Sequence, residues 1–172
     1  MTPLPIIRNR ALGFVRRALP SPGTAVCGAL LWALAMGASA LVTLLLYDWE
    51  TPGKIRFVSL LYAAGGALAF PVGLLLARLV SHGRHWEVAF AAAFICLLTA
   101  TIAFTGGLFG LQYRSYYVQW HAPAMTITWA FQFVFTMATA LYQFIVLGIR
   151  LYFPLGFIAL FAASIWFART QR

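Results

Sequence analysis

Residues 121–150, HAPAMTITWAFQFVFTMATALYQFIVLGIR, carry the polar pattern in this chain that most suggests chemistry. At about 100° per residue, Thr128, Gln132, Thr136, Thr139, Gln143 and Arg150 fall within about 40° of one line along a helix. Phe131, Phe133, Val134, Phe135, Leu141, Phe144 and Ile145 fill the remaining surface. An amide left unpaired in hydrocarbon costs several kcal/mol, so the seam must meet protein, water or a ligand. The preceding apolar run offers partners, because Thr101, Thr105 and Gln112 share a face and Glu87 lies near the same line. Glue within the chain, contact with a partner subunit and the lining of a hydrated path are the three uses open to such a seam.

Other reactive side chains are scattered. Asp48, Glu50 and Glu87 all stand at the ends of apolar runs, not inside them, where proton relays and coupled-ion sites place their acids. His82 and His85 flank one loop and His121 lies beyond the next run, so no histidine pair suggests haem. Cys27 and Cys96 sit in different runs and form no CxxC pair; they read as small packing residues. No serine or cysteine has a base at a recognisable spacing, and no Gly-rich phosphate loop occurs. The cluster YRSYYVQWH, with Arg114, Trp120 and His121, is a candidate ligand-gripping rim at the periplasmic face. Catalytic residues, cofactor and metal site are therefore all expected to be absent.

These residues need a scaffold, and the composition names it. With 63% hydrophobic and 9% charged residues, the chain carries more apolar surface than a soluble core of 172 residues can hide. A hydrocarbon layer of about 30 Å takes about 20 helical residues to cross. Runs of that length fall at about 24–47, 57–79, 88–111 and 123–147, and a shorter one follows at 154–168. The fold class is all-α: a polytopic transmembrane helical bundle (24–172) of four spans plus a fifth, preceded by a basic segment (1–23). The net charge of +9 does not indicate nucleic acid, since the cations stand at the ends of apolar runs and read as topology signals.

Length and charge disagree about the fifth run. Counted as a full span, it sends the C-terminal side away from the cytoplasm and leaves seven cations inside against five outside; four spans give nine against three. Length is taken as the stronger argument here, which predicts five spans. Rows of small residues every four positions, Ala25, Ala29, Ala33 and Gly37, then Gly65, Ala69, Gly73 and Ala77, with Gly106 and Gly110 in the third, predict close helix crossings, above all between the first two spans.

In residues 4–19, Leu4, Ile7, Ala11, Phe14, Val15 and Ala18 form one arc with Arg10, Arg16 and Arg17 opposite and Arg8 near the apolar side. That predicts an amphipathic helix on a surface of anionic lipids. The basic segment is longer than that of a cleaved signal peptide, so the first span is expected to remain. Together these features predict a multi-pass protein of the bacterial inner membrane, N-terminus cytoplasmic. Its expected role is that of a non-enzymatic subunit or scaffold of a larger transport or secretion assembly, in contact with other membrane subunits or with itself. The alternatives are a homo-oligomeric transporter, channel or lipid flippase working along the fourth span, and, weaker, an embedded enzyme acting on lipid or quinone at Arg114 and His121.

Overall fold

The computed structural model describes residues 18–47 and 51–170. The surface helix expected at 4–19, with Arg8, Arg10, Arg16 and Arg17, lies outside the described residues save for Ala18 and Leu19. Helices make up the described chain, with no strand among those residues: α1 (Pro22–Tyr47), α2 (Pro52–Ser81), α3 (Trp86–Tyr117), α4 (Ile127–Gln143) and α5 (Leu155–Thr170). Four stretches are long and apolar enough to cross a membrane, the fourth being Ile127–Tyr152. As predicted, the polytopic helical architecture follows from the apolar runs.

α2 is the centre of the bundle, packed on α1 along one side and α3 along the other. Gly66 lies against the Trp32 carbonyl and Met36 of α1, while a Cβ at Gly65 would collide with Thr105 of α3. The first two spans do cross closely, as predicted. The Gly65, Gly73 row, however, faces α3, where Leu97 and Thr105 fill the space that its missing side chains leave. The indole of Trp32 ties α1 to α3 by donating to Thr101 Oγ1 at 3.0 Å.

Two boundaries differ from the sequence reading. α3 runs on to Tyr117, where Tyr113 packs at a tilt on Tyr117 and Tyr116 meets Tyr117 edge to face along the helix instead of ending it. α4 starts four residues later than Pro123: the Thr126 hydroxyl accepts from Trp129 N at 3.1 Å, a side-chain N-cap, and Pro123 sits in the turn before it.

The path of residues 127–170 decides the topology. Phe133 lies under the Arg114 guanidinium, Met137 packs at Gly110, and Phe144 at Gly106 and Phe109. Further along, Phe157 and Phe161 meet Phe94, and Phe161 also meets Phe90. Partners on α3 thus descend steadily from 114 to 90, so α4 and α5 run antiparallel to α3 in the same sense. Trp166 shares a cleft with Thr24 near the start of α1. α5 therefore continues α4 instead of returning beside it, and Thr170 ends at the side of the bundle that holds Pro22, Ser81 and Trp86. A fifth crossing is not shown: α5 is a shorter apolar helix running on in the direction of α4. With 16 residues α5 is about 24 Å long, short of a hydrocarbon layer of about 30 Å, and it is not among the four stretches long enough to cross one.

Candidate functional site: the broken fourth span and its polar seam

Between α4 and α5 the helix is interrupted. A π turn (Phe144–Gly148) leads into a 3-10 turn (Ile149–Tyr152), and the Phe153–Pro154 peptide is cis. Irregular backbone at membrane depth is tolerated only where protein or water satisfies it. Here protein does so. Tyr62 Oη donates to the Gly148 carbonyl at 2.6 Å and Ser39 Oγ to the Leu151 carbonyl at 2.9 Å, while Thr43 Oγ1 donates to the Phe153 carbonyl at 2.9 Å. Ser39 Oγ also accepts from Gly156 N at 3.1 Å, so one buried hydroxyl fastens both sides of the break to α1. The ring of Tyr62 packs at a tilt against Tyr152, ring centres 5.0 Å apart, and the Tyr152 hydroxyl lies beside Thr105 without reaching hydrogen-bond geometry.

The seam divides at this break. Gln132 Oε1 accepts from Ala122 N at 2.8 Å, and Thr136 Oγ1 is 3.2 Å from His121 Nε2. The partners expected on α3 do not meet it: Thr101 bonds Trp32 and Thr105 lies against Gly65, while Gln112 and Glu87 are exposed. The seam's upper half instead fastens the 118–126 connection down over α4. Thr128 and Thr139 are exposed, with the Thr139 hydroxyl donating to its own helix at the Phe135 carbonyl, and Gln143 is half-buried. Arg150 leaves the line because the π and 3-10 turns change the angle per residue before it. It lines a cleft with Thr43, Leu46, Tyr47, Phe153 and Pro154, on the α1 side.

At the rim, Tyr117, Trp120, His121, Thr128, Phe131 and Gln132 border a shallow groove. The guanidinium of Arg114 is stacked 4.9 Å from the Phe133 ring centre, outside that groove's lining. Sequence reasoning thus places Trp120 and His121 together but not Arg114. Among the described residues no three His, Cys, Asp or Glu side chains converge as a metal site would need. The clamps Ser39, Thr43 and Tyr62 were missed; the one signal available was a Ser/Thr pair four residues apart, hence on one face, in an otherwise apolar span.

No family model matches the chain, and no curated protein or solved structure is significantly similar to it.

Proposed function

We propose that this chain is a non-enzymatic integral subunit or scaffold of a larger assembly in the bacterial inner membrane, docking to unlike subunits through the outer side of α4. One observation carries the reading: only 11% of the most apolar stretch of Ile127–Tyr152 is buried, against 39%, 50% and 39% in the other three. α4 packs chiefly on α3, and its open side presents Phe131, Phe135 and Tyr142 together with the hydroxyl-bearing Thr128 and Thr139. Aromatic anchors beside polar groups suit a protein partner better than hydrocarbon alone.

The orientation in this proposal follows from the charges. Arg78, Arg84 and Arg169 stand at the Pro22 end, and the sequence adds Arg8, Arg10, Arg16 and Arg17 before α1 and Arg172 after Thr170. Lys54, Arg56 and Arg114 belong to the opposite end, and Arg150 lies towards it beside Tyr47, so the balance is eight cations against four. The Pro22 end is therefore assigned to the cytoplasm, with four crossings and both chain ends inside.

A second reading, a homo-oligomeric transporter or lipid flippase, is favoured by the break, since discontinuous helices supply substrate sites in transporters. Against it, the Gly148, Leu151 and Phe153 carbonyls are already taken by hydroxyls of the same chain, which suits a fixed brace better than a moving gate. The two are separated by placing a photo-crosslinking amino acid at Phe135 or Tyr142 in native membranes. A single unlike polypeptide is expected, with none captured from the exposed Leu30 of α1; adducts with a second copy of this chain favour the transporter, and adducts with lipid alone contradict both.

A further inference from the structure

Arg150 is an exposed cation set into the interrupted span; its carbonyl accepts from Phe153 N, but its guanidinium has no hydrogen-bond or ion-pair partner among the described residues. A guanidinium stays charged at any physiological pH, so within a membrane it needs water, an anion, or both. Its position is fixed from either side. The Leu151 carbonyl is held by Ser39 and the Phe153 carbonyl by Thr43, so the backbone carrying Arg150 cannot swing away from α1. The cleft it enters has a volume of about 460 Å³ and is bounded by Thr43, Leu46, Tyr47, Phe153 and Pro154.

The cleft's depth and its lining point to one class of ligand. Tyr47 ends α1 and Thr43 lies one turn before it; at 26 residues or about 39 Å the helix exceeds a hydrocarbon layer of about 30 Å, so its end reaches the headgroup region. Ser39 and Thr43 hold the backbone around Arg150 below that end, and a long arginine side chain reaches from such a depth to the headgroups. Beside it Leu46 is 76% and Phe153 53% exposed, apolar walls that a free inorganic anion would leave uncovered. The Thr43 hydroxyl is already committed to the Ser39 and Phe153 carbonyls, which leaves the guanidinium as the polar anchor.

We propose that this cleft binds an anionic phospholipid, its phosphate on Arg150 and one acyl chain along Leu46, Phe153 and Pro154. Binding of this kind is charge-assisted and, through the two N–H groups of a guanidinium, bidentate. The inference stands apart from both functional readings, because scaffold and transporter alike can carry such a lipid.

The test uses the whole purified chain, stripped of lipid in detergent, titrated with phosphatidylglycerol, phosphatidylcholine or inorganic phosphate, and read by native mass spectrometry. Phosphatidylglycerol is expected to bind one per chain more tightly than phosphatidylcholine. Arg150→Gln should weaken it about tenfold, Arg150→Lys less, and Arg114→Gln not at all. Equal retention by the Arg150→Gln variant overturns the proposal, as does full displacement of the lipid by millimolar inorganic phosphate, which would make this a free-anion site. Asp48 and Glu50 follow Tyr47 in sequence, so the variant Asp48→Asn, Glu50→Gln is the remaining control. Unchanged lipid affinity is expected there, and a tenfold rise would mean that the guanidinium belongs to an internal ion pair.

Discussion

Replacing Ser39 by alanine tests whether the break in the fourth span is held by α1. The hydroxyl donates to the Leu151 carbonyl and accepts from Gly156 N, at 2.9 and 3.1 Å, and Ser39 is fully buried. Its removal strands one acceptor and one donor, neither of which water can reach easily. Interhelical hydrogen bonds in membranes contribute about 0.6 kcal/mol on average and up to about 1.7, so two give about 1 to 3 kcal/mol. Only one oxygen atom is lost, so a cavity adds little. Thr43→Val removes a single inter-element bond, to the Phe153 carbonyl, and should cost about half as much. Because both act on the same short segment, the double variant should fall short of additivity. Ser164→Ala is the control: that hydroxyl is equally buried but donates only to the Leu160 carbonyl of its own helix. Reversible unfolding in mixed micelles gives each difference. A loss for Ser39→Ala no larger than that for Ser164→Ala would refute the clamp.

Two other substitutions probe the packing and the seam. Gly65→Ala forces a Cβ into Thr105, whose Cα would lie only 2.8 Å away, so it should destabilise the α2–α3 contact by about 1 to 3 kcal/mol, while Gly53→Ala, in open space, should not. Gln132→Leu removes the acceptor of the Ala122 N–H, so hydrogen exchange at Ala122 should accelerate while Phe131→Leu leaves it unchanged; equal exchange in both would sink the loop-fastening role.

The first three spans were legible because each is a long uncharged run bounded by polar turns, and close packing was legible from small residues repeating every four. The break was not. Pro154 is a good helix-start residue and does precede a helix, but a start signal does not say whether the new helix turns back or continues. The π turn at Phe144–Gly148 carries no sequence signature, and it invalidated the single angular ruler that had put Arg150 in line with Gln132. Charge and length disagree about the last run, and with Arg150 moved to the Tyr47 side the bias towards the Pro22 end is eight cations against four instead of nine against three. The face shared by Thr101, Thr105 and Gln112 points to α3 as the partner of Gln132 and Thr136, and a helix starting at Pro123 leaves no connection to fold back over them. Thr126, a hydroxyl residue well placed for an N-cap, was the better boundary signal, and it frees residues 118–125 to fold back.

The central claim is that α4 and α5 together make one interrupted crossing, and sidedness of labelling tests it most directly. With Cys27 and Cys96 replaced by alanine, single cysteines are placed at Ser21, Lys54 and Thr170 and treated with a membrane-impermeant thiol reagent in intact cells and in inverted vesicles. The account predicts that Ser21→Cys and Thr170→Cys label from the same side, in inverted vesicles, and Lys54→Cys from the other. Labelling of Thr170→Cys together with Lys54→Cys in intact cells would show α5 to be a fifth crossing and would contradict it.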